Sequence, residues 1–252
     1  MSALAVLLIA VGLGDVCRRL IPVRWVAPAV ALASIVACAL LGALWHLGDL
    51  LLLVIAAVAS VAWLLLCDRA ERTGKHQALP LTVFGASVAA LILLSGLGSD
   101  VTGVIARWST WTGLTADVPH ARVLMVVGVL LVQLATANQL VRLVLGSVGA
   151  VKPAGEPQAS DQLKGGRLLG PMERLLIVGL GLAGQLTLAT AVMAAKSIIR
   201  FPEISAKRDK DGNSERVGID IGISDVIEYF LVGSFASWML AFAALALVSA
   251  AH

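Results

Sequence analysis

Lys196, Arg200 and Glu203 close an apolar run at spacings of four and three, which puts them on one face of a helix. Glu228 and Tyr229 open the next apolar run, one loop away, so a carboxylate and a phenol can meet the two cations. Two basic groups beside a carboxylate can hold a phosphate or a lipid headgroup. They also suit plain ion pairing, because cations at a helix C-terminus and an anion at a helix N-terminus complement the macrodipole. Glu173 and Arg174 sit at the start of the run that ends at Lys196. About 22 residues, roughly 33 Å of helix, separate Arg174 from Lys196. The spacing therefore predicts two charged clusters at opposite membrane faces, with Arg142, Glu173 and Arg174 forming the second.

A polar stripe interrupts an earlier run. Gln133, Thr136, Asn138, Gln139 and Arg142 fall in its last turns, and Asn138, Gln139 and Arg142 share one side. Amide and guanidinium groups facing lipid are costly, so this stripe is expected to point into a helix bundle. It reads either as a polar pathway, continued by Gln185, or as interhelical hydrogen bonding with Arg142 reaching to the interface.

Other candidates are weaker. Asp209, Asp211 and Asn213 are spaced like the first ligands of a calcium loop, but Ser214 replaces the usual glycine and Asp220 the closing glutamate. Alternation at Val217, Ile219, Ile221 and Ile223 makes a short β-hairpin the simpler account. Four histidines and three cysteines show no ligand spacing, and no GxSxG, HExxH or CxxC is present. Neither a catalytic residue, a metal nor a cofactor is expected.

The elements that must position these residues are membrane helices. Hydrophobic residues make up 59% of the chain and charged ones 14%, against roughly 25% charged in a soluble domain. The apolar residues come in runs long enough to cross a hydrocarbon core of about 30 Å. Basic residues flank these runs, where they set orientation, so the net charge of +3 is no argument for nucleic acid. The expected fold is all-α: a polytopic membrane protein with about six or seven transmembrane helices and one interfacial helix. A short first helix ends at Asp15, Arg18 and Arg19, and spans follow at Trp25–Trp45, Asp49–Cys67, Leu79–Leu97 and Val123–Leu145. Residues 101–114 carry Val104, Ile105, Trp108 and Trp111 at helical spacing, the pattern of a helix lying in the interface. These elements form an N-terminal part, 1–148. A Pro- and Gly-rich linker, 149–169, leads to a C-terminal hairpin, 170–252, with spans at Leu175–Ala195 and Val226–Val248 and a polar loop at 202–225. Gly179, Ala183, Thr187, Ala191 and Ala195, and likewise Gly233, Ser237 and Ala241, recur every four residues as a close-packing seam.

With seven spans, the loops on one side hold eleven Lys and Arg and those on the other eight: Arg107, Arg122, Lys196, Arg200, Lys207, Arg208, Lys210 and Arg216. The positive-inside rule puts the first side, and with it the C-terminus, in the cytoplasm of a bacterial inner membrane.

Three blocks in the C-terminal third carry a resemblance: Gly170 to Ile177 with Glu173 and Arg174, Ala194 to Phe201 with Lys196 and Arg200, and Glu228 to Ser234 with Tyr229 and Gly233, followed by Ser237. They resemble a family of uncharacterised bacterial and phage integral membrane proteins, grouped as a domain of unknown function. The resemblance implies that Glu173, Arg174, Lys196, Arg200, Glu228 and Tyr229 matter, without supplying an activity. Family members often carry a histidine shortly before an aspartate in the first span; here Asp15 is present and Val11 stands near the histidine's place.

The expected function is non-enzymatic: binding or translocating an anionic lipid or solute through the charged ends of the last two helices. A scaffold subunit of a membrane complex and a lipid-headgroup-processing enzyme are the alternatives. Membrane lipids, and further copies or other subunits of a complex, are the expected partners.

Overall fold

The computed structural model describes residues 1–21, 23–111, 118–149, 166–196, 198 and 223–251, the side chains of 166–168 and 223–228 excepted. The loop at 202–225 with its calcium and hairpin readings, Arg200, Glu203, the Glu228 side chain and most of the linker lie outside the described residues. The secondary structure among the described residues is helical, without strands. The helices are α1 (Ser2–Leu20), α2 (Val26–Gly42), α3 (Leu47–Thr73), α4 (Ala78–Leu93), α5 (Gly103–Trp111), α6 (His120–Leu131), α7 (Ala137–Ser147), α8 (Gly166–Leu182), α9 (Leu186–Lys196) and α10 (Ile223–Ala250). A π-helical segment, Val132–Thr136, joins α6 to α7 into one continuous rod. Among the described residues, three helices are long and apolar enough to cross a membrane: Leu47–Thr73, His120–Ser147 and Tyr229–Ala250. The helices α2 and α4 are apolar but shorter, at 17 and 16 residues.

The chain divides into two compact units, Met1–Leu140 with Ala246–His252, and Val141–Leu245. In the first, α1 is the central helix. Residues Ala3 to Val11 are all buried, which is what a helix apolar on every side requires. Its glycines let the neighbours close in: a Cβ on Gly12 would lie 2.7 Å from Leu131 Cβ, and one on Gly128 would lie 2.9 Å from the Ala5 carbonyl. Such close backbone approach maximises dispersion contact where lipid offers no hydrophobic drive between helices.

Direction follows from these contacts. Going along α1, Ala5 meets Gly128, Gly12 meets Leu131 and Asp15 faces Thr136, so α1 and the α6–α7 rod run parallel. Asp15 and Arg18 likewise meet Trp63 and Glu71, so α3 runs the same way, while Gly14 against Ala27 sets α2 antiparallel. Phe84 stacks on Trp63 at 4.9 Å and Leu97 closes on Gly48, which makes α4 the return from α3. Asp49 fastens that return. Its two oxygens accept the Ser99 backbone N–H at 2.7 Å and the Ser99 hydroxyl at 2.5 Å, while the backbone N–H of His46 completes a capping box.

The second unit departs from the sequence expectation. The run Leu175–Ala195 is not one span. It breaks after Leu182 at Gly184, whose φ of +75° closes a Schellman turn: Gln185 N–H donates to Leu180 O at 2.8 Å and Gly184 N–H to Gly181 O at 3.0 Å. Helix α9 then starts afresh and folds back along α8. Glu173 lies eleven residues before Gly184 and Lys196 twelve after it, so the arms match to within one residue. An arm of that length rises about 16 Å, half of what a crossing needs.

Candidate functional site

The hairpin brings the ends of the run together. Lys196 Nζ lies 2.5 Å from Glu173 Oε2, so the expectation of clusters some 33 Å apart at opposite faces is corrected. The error was to let an apolar run imply an unbroken helix. Helix α10 completes the site: the Trp238 indole N–H donates to Glu173 Oε1 at 2.7 Å, and Arg174 Nη1 donates to the Ser237 hydroxyl at 3.1 Å. The Lys196 ammonium also stands 6.0 Å from the Phe230 ring centroid, within cation–π range. Glu173 is 4% and Arg174 2% exposed, whereas the Lys196 side chain keeps 15%. Lys196 is therefore the reachable member of a buried set.

The predicted site residues divide accordingly. Glu173, Arg174 and Lys196 lie in one place, and the half-buried Tyr229 is on the helix that lines it. Arg142 is exposed on α7, unlike Glu173 and Arg174. Ser237 and Trp238 were missed as ligands of the charges. In the sequence Ser237 reads as a seam residue and as part of the resemblance, and Trp238, in the middle of an apolar run, carries no signal of its own. The seam itself holds in part. Ser237 and Ala241 are buried, but Gly179 and Ala183 face outward, and a Cβ on Gly179 would meet no atom of the described residues within 4 Å. The close approach occurs two residues on, where a Cβ on Gly181 would lie 2.4 Å from Leu245 of α10.

The polar stripe of α6–α7 resolves differently. Gln133 and Gln139 are buried and Asn138 half-buried in the first unit, while Gln185 is exposed at the hairpin tip in the second. Gln133 and Thr136 fall in the π segment. A π turn shifts hydrogen bonding by one residue and releases a carbonyl, and Arg19 Nη2 takes up that of Ala135 at 2.7 Å. Beside it is another buried carboxylate, Asp15, which the sequence shows only as the aspartate of the resemblance's histidine–aspartate pair. Asp15, 1% exposed, accepts the Trp63 indole N–H on Oδ2 at 3.0 Å. Arg18 lies 3.4 Å from its Oδ1 and also 3.4 Å from Glu71 Oε2. Thr136 faces the carboxylate, and Gln139 faces the Cys67 thiol close by. A signal for this site did exist: a carboxylate inside an apolar run needs a partner, and Trp63 is the polar-tipped side chain at the matching depth of a parallel helix.

No group of three or more metal-ligating side chains occurs among the described residues. Comparison with protein-family models, with curated proteins and with solved structures gives no match.

Proposed function

We propose that this is a multi-pass bacterial inner-membrane protein that binds, and in doing so moves or senses, an anionic lipid headgroup or solute at the α8–α9–α10 site. The observation that carries this reading is the fold-back of α9, which sets the reachable cation Lys196 beside buried Glu173 and Arg174. A buried ion pair is weak evidence for stability, since desolvation consumes most of its Coulomb gain. Its position next to an aromatic wall and a second cation suits an anion that exchanges with Glu173 for the ammonium. The three sequence blocks that resemble the uncharacterised family lie on the helices forming this site, and we extend the proposal to that resemblance.

The fold-back also supports a topology. Helices α1 to α4, the α6–α7 rod and α10 would cross, six in all, with α8–α9 entering and returning on one side and α5 lying in the interface. The exposed Trp108 and Trp111 of α5 suit that placement, while its Ser109 is turned in towards His120 at 2.7 Å. A re-entrant hairpin moves Lys196, Arg200, Lys207, Arg208, Lys210 and Arg216 to the side of Arg18 and Arg72. Only Arg107 and Arg122, of 19 basic residues, remain opposite. That is a far stronger positive-inside bias than seven crossings gave, and it sets the end of α10 on the outer side rather than the cytoplasmic one. Cysteines at 75 and 210 labelled from the same side, with one at 252 labelled from the other, are the expected result. Labelling of 75 and 210 from opposite sides rejects the hairpin topology.

The ligand reading is tested by native mass spectrometry in mild detergent with added anionic phospholipid. Wild type should retain a discrete lipid or small anion that Lys196→Ala/Glu173→Gln loses, this pair keeping the buried charge balanced. Equal bare oligomers from both would favour the scaffold reading.

A further inference from the structure

The Asp15 site in the first unit stands apart from the anion site and carries its own inference. A deeply buried carboxylate normally fills its acceptor positions, and leaving one empty costs on the order of 1–3 kcal/mol. Asp15 fills one oxygen only. Oδ2 has Trp63, but Oδ1 makes no hydrogen bond among the described residues, and its 3.4 Å contact with Arg18 is an ion pair without hydrogen-bond alignment. The Thr136 hydroxyl, buried and facing this carboxylate, is likewise outside hydrogen-bonding geometry. Two buried oxygens therefore face each other, and the hydroxyl can donate to an ionised carboxylate or accept from a protonated one. The π segment is what turns Thr136 to this position, one residue out of α-helical register.

From Asp15 a charged ladder leads outward. Arg18 is shared, at 3.4 Å each, between Asp15 and Glu71, and side-chain exposure rises from 1% at Asp15 through 19% at Arg18 to 34% at Glu71. The other groups facing the carboxylate are Cys67 on α3 and, from its own helix, Arg19, whose exposed guanidinium is engaged by Ala135 O. Helix α2 presents the Ala27 carbonyl to Gly14 beside it. With Asp15 ionised, Arg18 divides between two carboxylates; with Asp15 neutral, it belongs to Glu71 alone. The ladder thus has two electrostatically consistent arrangements that differ by one proton.

We infer that the Asp15 carboxyl is a proton-exchange site, loaded from and emptied to solvent water at the membrane face where Glu71 lies. On uptake an O–H bond forms at Oδ1, the carboxylate charge is lost and the new hydrogen is donated to Thr136 Oγ1. On release that bond breaks and the proton leaves past Arg18 and Glu71. Carboxylates inside membrane bundles commonly mark such relays.

Infrared difference spectroscopy on the reconstituted protein, stepped between about pH 4 and 9 to bracket ordinary carboxyl and histidine titration, reads the site directly. Wild type should show a protonated-carboxyl C=O band that grows as pH falls, shifts on carbon-13 labelling of aspartate and is lost in Asp15→Asn. Thr136→Val keeps the carboxyl and should move the band to higher frequency, since the carbonyl loses a hydrogen-bonded proton partner. Glu71→Gln should keep the band and slow its appearance after a pH jump. A wild-type spectrum whose aspartate bands do not change with pH, or a titrating band unmoved in Thr136→Val, overturns the inference; if Asp15→Asn fails to fold, the labelled wild type and Thr136→Val decide alone.

Discussion

Asp15 and Glu173 are the two buried carboxylates of comparable design, one in each unit. Each accepts an indole N–H from a later helix, Trp63 for Asp15 and Trp238 for Glu173, and each has one basic neighbour. They differ in how that neighbour arrives. Arg18 is three residues from Asp15 on the same helix, whereas Lys196 reaches Glu173 across 23 residues and a chain reversal. They differ as well in completeness: both Glu173 oxygens are held, at 2.5 and 2.7 Å, while Asp15 holds one. A local pair leaves the carboxylate free to change state without moving the backbone. A pair that fixes a reversal changes partners only as the reversal loosens, so an anion that takes the Lys196 ammonium also frees the hairpin. The same three kinds of group, a carboxylate, a cation and an indole, thus make a poised group in one unit and a clasp in the other.

The sharpest way to break this comparison is to remove each cation. Lys196→Met leaves a buried carboxylate without its ion partner and should cost about 3–5 kcal/mol, with most of the loss recovered in Lys196→Met/Glu173→Gln. Arg18→Met should cost less than half as much, because Arg18 stands 3.4 Å from Asp15 against 2.5 Å for Lys196 and Glu173, and it holds no chain reversal closed. Thermal unfolding in detergent, with the double-mutant comparison for Lys196 and Glu173, measures both; equal losses would dissolve the distinction between clasp and poised group. Replacing the indole donors comes next. Trp238→Phe and Trp63→Phe each delete a hydrogen bond to a charged group, worth about 1.5–3 kcal/mol, and Trp238→Phe should additionally increase protease cutting near the hairpin. The smallest effect belongs to the turn: Gly184→Ala forces a Cβ into the left-handed region for about 1–2 kcal/mol, whereas Gly179→Ala should be silent. A silent Gly184→Ala would mean that the reversal is not held in this form.

The sequence made the helical character and membrane-scale lengths legible, because runs of about 20 apolar residues have few other uses. It also exposed Glu173, Arg174 and Lys196 as a short roll of charges beside apolar runs. The distance between them was misread for a physical reason. A Schellman turn needs only one glycine in the left-handed region, and Gly184 stands in a stretch where glycine and alanine already serve helix packing. Nothing in hydropathy separates the two uses. The π segment was hidden similarly, since one extra residue leaves the apolar periodicity almost unchanged, yet it decides where Thr136 points. Asp15 was visible as an ion at the end of a first helix, but its partner Trp63 is 48 residues away, and only the parallel course of α1 and α3 relates them.

The burial of α1 has a consequence for how the protein is made. The helix that ends up most enclosed is translated before every helix that encloses it. When α1 leaves the ribosome it has no Trp63 for Asp15, no Gly128 to nest against and no Ala135 carbonyl for Arg19; the last of these is 116 residues downstream. Its cheapest interim shelter is the antiparallel α2, which covers one flank only. On the proposed six-crossing topology, the insertion machinery would keep α1 beside it, or let it sit near the interface, until the α6–α7 rod has emerged. On that topology, a nascent chain halted between α4 and α6 would leave the Gly12 groove and the Thr136-facing side of Asp15 open to lipid, and it is at that stage of synthesis that quality control would find this protein easiest to recognise as unfinished.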